Sequence, residues 1–396
     1  MTELLNIDYT NKFPPNYIND VNGWSFSSDV INKNIGKLLT LDIEFGSKCS
    51  LNCPHCFRKN NFMNKTSELH NEKLSKELSY SELKSILLEA KGLGLKSVKF
   101  LGKGEPFESD SLLDLLEFLH QNEIIPLIFT KGHIIGDDNL VKKYFSSYGI
   151  TNGSQLVKLL KKYNTSILLG FNSFDKDIQN RMVGDGHLSY SNQRTYLEVR
   201  NDALQLLINE GFNQGNPTRL CLATNPVTKE NIHEIFNIYK WGRERNIYVI
   251  VTPSMISGRA QRNYFWKDIT PSPEQLIELY TKIYIYNVEH GIQSLNQIEA
   301  EGISGYAGGH PCNQISVGMY LTINGKVFRC PGDEISYFGS VRINSLKEIW
   351  ENSENYGRCG LFNCGCPPKW GKSIPNNLFT QVLVNIKKYF GVHNEK

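Results

Sequence analysis

Six short, nearly continuous apolar runs, each followed by a stretch of helical periodicity, constrain this chain more than any other feature. The runs cover 38–45, 97–101, 124–129, 166–171, 218–224 and 247–251. A strand that buries one face alternates apolar and polar residues. Runs this continuous bury both faces, the pattern of a parallel sheet covered by helices. Ser79 and Glu82 form a capping box ahead of a helix with Leu83, Ile86, Leu87 and Ala90 on one face. Further helical patterns lie at 112–119, 139–163, 195–209 and 229–244. Right-handed crossovers curl six such units into an open barrel. The expected fold is therefore α/β, a partial (β/α)6 TIM-like barrel over 39–260, with its active face at the C-terminal ends of the strands.

The texture changes beyond Pro253. A linker over 261–311 contains a helix that opens at Pro271, Ser272 and Pro273 and runs to about 290. A small C-terminal β-hairpin/helix domain is expected over 312–376. There the runs 320–323 and 326–328 flank Asn324-Gly325, a two-residue turn signal. Ser345 and Glu348 form a second capping box, opening a helix with Leu346, Ile349 and Trp350. Residues 377–396 carry an amphipathic helix whose stripe of Leu378, Val382, Leu383 and Ile386 docks on the body. Residues 1–38 read as an N-terminal extension with little regular structure.

Forty-three Lys and Arg against 40 Asp and Glu leave no electrostatic footprint for nucleic acid or a membrane surface. No apolar run approaches the ~20 residues that cross a bilayer, so the expected location is cytoplasmic. Nine cysteines, an odd number, argue in a reducing compartment for metal or redox chemistry rather than a disulfide framework. Cys221 stands alone in an apolar stretch and reads as a small buried hydrophobe.

Cys49, Cys53 and Cys56 place three thiolates in one loop just beyond the first strand. Iron–sulfur cubes normally take four such ligands; three, with no fourth nearby, leave one iron open to a substrate or cofactor. A structural zinc knot needs a fourth ligand, and His55, lying between two of the cysteines, is poorly placed to provide it. Together with Phe100-Leu101-Gly102-Lys103-Gly104-Glu105-Pro106 at the end of the second strand, this Cys-x3-Cys-x2-Cys loop resembles the radical S-adenosylmethionine (radical SAM) superfamily. The second segment matches the family's Gly-Gly-Glu-Pro, with Lys103 intruding, and the resemblance covers roughly 38–260.

The resemblance implies a [4Fe–4S] cluster on Cys49, Cys53 and Cys56, with S-adenosylmethionine chelated at its open iron. It implies close backbone approach at Gly102 and Gly104, and Glu105 accepting from the amino group. His55 would pack near the adenine, Ser173 and Asn225 would touch ribose or methionine, and Met255, with Thr252 and Pro253, would border the adenine. Arg259 would pair with a carboxylate. Each polar residue among these also has a plain turn, cap or surface reading. The implied activity begins with one electron from a donor such as flavodoxin or ferredoxin. The sulfonium splits, and the resulting 5′-deoxyadenosyl radical abstracts hydrogen from an unactivated C–H bond.

Cys312 precedes the expected hairpin and Cys330 ends it, with 17 residues between them. The stretch from Gly325 into Cys330 resembles the opening half of SPASM/twitch auxiliary-cluster domains, and Cys359, Cys364 and Cys366 supply further ligands. A full two-cluster SPASM domain uses seven cysteines, so five imply one auxiliary [4Fe–4S] cluster of the twitch type. One of the last three is then surplus, Cys359 being the first set aside; a four-cysteine zinc ribbon is the alternative. The expected function is a radical SAM oxidoreductase that oxidises or rearranges a small polar metabolite. The alternatives are a peptide-modifying (RiPP) maturase, against which the shortness of residues 1–38 weighs, and a non-catalytic iron–sulfur or zinc scaffold. No catalytic residue beyond the cluster ligands is named by the sequence.

Overall fold

A computed structural model of the chain describes residues 21–58, 76–184, 194–309, 312–333, 335–358, 366 and 368–391. Cys359 and Cys364 lie outside these residues. The six apolar runs form β1 (Thr40–Ile43), β2 (Ser97–Phe100), β3 (Ile125–Thr130), β4 (Ser166–Gly170), β5 (Leu220–Val227) and β6 (Tyr248–Pro253). Each pairs in parallel with the next, and helices such as Tyr80–Gly92, Leu112–Gln121 and Ile232–Arg243 cross between them. The result is the expected partial barrel.

A period of two sorts each strand's residues between two cores. Leu41, Val98, Ile167, Leu222 and Val249 face the helices in the main core. Their neighbours Leu127, Leu168, Cys221, Tyr248 and Ile250 form a smaller core inside the barrel, where Cys221 is fully buried. Val21 joins that inner core, with Trp24 packed against it. Asn22 fixes the plug, donating to the Thr218 carbonyl at 2.8 Å and accepting from Ser166 Oγ at 2.9 Å.

The C-terminal hairpin extends the barrel's own sheet. β7 (Gly318–Leu321) pairs in parallel with β1, and β8 (Lys326–Phe328) and β9 (Tyr337–Ser340) follow antiparallel. The strand order is β6-β5-β4-β3-β2-β1-β7-β8-β9. Both expected capping boxes form, at Ser79/Glu82 and Ser345/Glu348. The terminal helix Leu378–Tyr389 buries Leu378, Val382 and Ile386, and its Tyr389 reaches Glu289 of the helix Pro273–Glu289.

Two local expectations change. The hairpin turn is longer than two residues, because Thr322 N bonds to the Lys326 carbonyl at 2.8 Å while the Ile323 N–H is taken by Glu44 at 3.0 Å. Residues 21–38 are not irregular throughout. Ser27 caps a helix, Ser28–Lys33, whose Ile31 packs with Leu39 and Val317. Among the described residues no helix is long and apolar enough to cross a membrane.

β7 can lie on β1 only because residue 318 is glycine. A Cβ there would fall 2.6 Å from Thr40 Cγ2 and 2.9 Å from the Thr40 carbonyl oxygen. Gly318→Ala is expected to cost about 1–3 kcal/mol by overpacking the β1–β7 seam, as a lowered urea midpoint at unchanged m-value.

Candidate functional site

β1 ends at Ile43, and Gly46 (φ 74°) then turns the chain into the loop that carries the first three cysteines. Cys53 packs with Leu51, Val183 and Tyr196, and Cys49 and Cys56 pack against the same group. Contacts from three other segments hold this loop. Glu105 N donates to the Lys48 carbonyl at 2.8 Å, Asn52 N to the Val183 carbonyl at 3.2 Å and Arg259 N to the Cys56 carbonyl at 2.9 Å. Arg259 Nη1 donates to the Cys53 carbonyl at 3.1 Å. At each approach a glycine makes room. A Cβ at Gly104 would lie 2.6 Å from the Gly46 carbonyl, at Gly184 2.6 Å from that of Asn52, and at Gly258 2.3 Å from that of Phe57.

Side chains complete the clamp. Glu108 Oε1 accepts from Ser50 N at 2.7 Å and Ser50 Oγ at 2.6 Å, and His133 Nε2 lies 3.4 Å away. Burial pushes Glu108 up, but the hydrogen bonds from His133 and Ser50 outweigh it and bring the carboxyl down to about 2. At the opposite end of the loop, Arg58 Nε donates to Glu44 Oε1 at 2.6 Å with both side chains buried. Burial opposes the Glu44 charge, and Arg58 with the Ile323 N–H outweighs it, so the carboxyl is held below its usual range. Gly102 (φ 139°) leaves space for this carboxylate, since a Cβ there would meet Glu44 Cγ at 2.7 Å.

Cys49, Cys53 and Cys56 line one cavity inside the barrel mouth, and Cys312, Cys330 and Cys366 line the same cavity. Burial pushes all three of the latter thiols up, Cys366 to about 11. The charges of Cys366 and Cys312 raise Cys330 further, and that of Cys312 raises Cys366, so the three lie within electrostatic reach of one another. Buried Lys369 sits beside them, donating to Thr252 Oγ1 at 2.5 Å, 4.9 Å above the Tyr306 ring. Burial pushes its ammonium down, and Cys366, Cys312 and Cys330 oppose that. Among the described residues no three His, Cys, Asp or Glu side chains stand gathered as an ion site. In donor chemistry, both sets nevertheless fit iron–sulfur ligation, since all six are soft thiols lining one cavity.

The remaining candidates divide. His55, Gly102, Gly104, Asn225 and Met255 line the cavity, and burial together with Lys131 pushes the His55 imidazole down to about 3. Met255 reaches across to the second cysteine set, for a Cβ at Gly332 would meet its sulfur at 2.3 Å. Glu105 also lines the cavity, but its carboxylate already accepts from Thr130 Oγ1 at 2.6 Å and Lys131 N at 3.0 Å. Ser173 does not line it; its hydroxyl donates to Glu234 at 2.6 Å.

Sequence reasoning missed a polar group on the cavity floor. Asp42 of β1 and Lys99 of β2 are register partners, both pointing inward, with Lys99 Nζ 3.7 Å from Asp42 Oδ1. Lys99 Nζ donates to Gln314 Oε1 at 3.0 Å and stands 4.8 Å from the Trp24 ring. The available signal was a charge at an inward position of an otherwise apolar strand. Burial pushes Asp42 up to about 6, partly offset by Lys99.

The radical SAM superfamily model matches residues 43–242, and the SPASM model, an iron–sulfur cluster-binding domain, matches 312–369. Among solved structures the fold is similar to Streptococcus suis SuiB bound to precursor peptide SuiA, with TM-score 0.57 and 16% identity, over 89% of this chain and 78% of that one. It is also similar to native anSMEcpe with bound AdoMet, with TM-score 0.55 and 14% identity, over 89% and 96%. At these identities the likeness is one of fold. No curated protein sequence matches.

Two stability measurements check the geometry. Arg58→Met strands the buried Glu44 carboxylate and is expected to cost about 3–5 kcal/mol in urea unfolding, with Glu44→Gln on top restoring part of it. Asp42 binds its proton more tightly folded than unfolded, so its contribution to stability falls as pH rises. From about pH 4 to about 6 the loss should be about 2 kcal/mol. The slope in that window is expected to flatten in Asp42→Asn.

Proposed function

Because the chain belongs to the radical S-adenosylmethionine superfamily and carries a SPASM iron–sulfur domain, we propose that it oxidises or rearranges a small polar molecule held between its two cysteine sets. Its cofactors are a [4Fe–4S] cluster and S-adenosylmethionine, with auxiliary iron–sulfur binding in the C-terminal part. When bound, they supply a hydrogen-abstracting 5′-deoxyadenosyl radical and a nearby electron acceptor, on one electron delivered by a donor of the flavodoxin or ferredoxin class.

The chain's own residues hold, orient and exclude. Cys49, Cys53 and Cys56 hold the first cluster. Cys312, Cys330 and Cys366 hold the auxiliary one, completed by Cys359 or Cys364. Glu108 and Arg259 fix the loop so that the thiols keep their aim. His55 borders the cofactor as a neutral ring. Phe129, Leu168 and Ile250 line the cavity and keep water from the reacting carbon. The observation that carries this reading is that both cysteine sets line one cavity, so a single bound molecule has access to both.

A peptide substrate is the second reading. SuiB is seen bound to its precursor peptide and anSMEcpe with Cp18Cys peptide, so this fold admits a peptide. The expected result after anaerobic reconstitution and reduction is 5′-deoxyadenosine from S-adenosylmethionine. Cys49→Ala, Cys53→Ala and Cys56→Ala should each abolish it. Cys312→Ala and Cys330→Ala should retain part of the cleavage while blocking substrate turnover. Intact clusters without any cleavage would instead favour the non-catalytic scaffold.

A further inference from the structure

Two of the cations near the second cysteine set have an acid beside them. Lys99 Nζ stands 3.7 Å from Asp42 Oδ1, and Arg329 Nη1 stands 3.4 Å from Asp333 Oδ2. Lys369 differs. It is fully buried, and among the described residues no carboxylate lies within ion-pair distance of it. Its ammonium donates to Thr252 Oγ1 at 2.5 Å and sits 4.9 Å from the centre of the Tyr306 ring. Neither partner carries a negative charge, for burial holds the Tyr306 phenol well above its usual range. The negative groups that reach Lys369 are the thiols of Cys366, Cys312 and Cys330, and the same three weigh on Tyr306. The backbone fixes this placement. Lys369 N donates to the Cys366 carbonyl at 2.8 Å, and the Lys369 carbonyl accepts from Lys372 N and Ile374 N, each at 3.0 Å. An ammonium is costly to bury, and a hydroxyl with a ring face offsets only part of that cost. One built into this turn points to a permanent negative charge in front of it. The three thiols become that charge when they ligate iron, because coordination takes their protons.

We propose that Lys369 is the built-in counter-ion of the auxiliary iron–sulfur cluster and raises its reduction potential. One-electron reduction adds negative charge to a group already made negative by its thiolates. A fixed ammonium therefore stabilises the reduced form more than the oxidised one, and burial leaves that attraction weakly screened. This is the direction an electron acceptor needs. Thr252 of β6 and the turn from Cys366 hold the ammonium in place. Lys369 acts on the charge of the cluster, neither as a ligand nor as a reactant.

This inference rests on the C-terminal part binding an auxiliary cluster, so the test reads the two separately. The full chain is reconstituted anaerobically and titrated with dithionite while electron paramagnetic resonance is recorded. The auxiliary signal is the one that Cys312→Ala removes. Lys369→Gln and Lys369→Met should each shift its potential negative by at least about 59 mV, a tenfold change in the one-electron equilibrium. The potential of the first cluster should move by less. Thr252→Val, which removes the tie and keeps the charge, should also shift the auxiliary potential by less. An unchanged potential in both neutral variants, an equal shift at the first cluster, or an equal shift in Thr252→Val overturns the proposal. Where the neutral variants lose iron, recovery of the cluster in Lys369→Arg supports the charge role, and no recovery overturns it. An unmodified chain without the Cys312-dependent signal overturns the auxiliary-cluster reading itself, and with it the proposal.

Discussion

Glu44 stands where three parts of the chain must agree. It lies at the C-terminal end of β1, 3% exposed, and accepts from Arg58 at the far end of the cysteine loop. It also accepts from the Ile323 N–H in the β7–β8 turn, and its stem occupies the space left by Gly102 beyond β2. A carboxylate so buried is tolerable only with its partners in place. The cysteine loop, the hairpin and the glycine segment are thereby located against β1 by one group.

That arrangement makes one cavity of two cysteine sets separated by more than 250 positions in the chain. β1 is the pivot, paired in parallel with β2 on one side and with β7 on the other. Because β7 continues the barrel sheet, the hairpin carrying Cys330 cannot swing independently of the strand that leads into Cys49. Ties from the end of β6, through Lys369 to Thr252 and Ser373 to the Ser254 carbonyl, brace the opposite side. The spacing between the sets is thus a property of sheet pairing and buried hydrogen bonds, not of a flexible hinge.

The six barrel strands were legible because strands buried on both faces leave a continuous apolar mark. The two capping boxes were legible because their chemistry is local. The parallel β1–β7 pairing was not, since it depends on a small residue at 318 meeting Thr40 across 278 positions, which no local pattern records. The motif glycines suggest close approach to a cofactor, whereas Gly104 is also required by the carbonyls of Gly46 and Lys48. The motif marks Glu105 as an acceptor, while its bonds to Thr130 and Lys131 are set by β3, which the motif does not include.

Asp42 and Glu44 illustrate how an inward charge escapes such reading. Both interrupt the first apolar run at alternate positions, and by composition alone they only weaken a strand. Once the sheet is curled, the same alternation turns Leu41 and Ile43 to the helices and Asp42 to the cavity. The barrel interior then has two sectors, apolar on β3 to β6 and polar on β1 and β2. The polar sector is the one adjoining β7 and the segment that carries Cys312, whose thiol responds to the charges of both Lys99 and Asp42. Burying Asp42 works against the stability of the folded chain, and the neighbouring Lys99 ammonium offsets part of that cost.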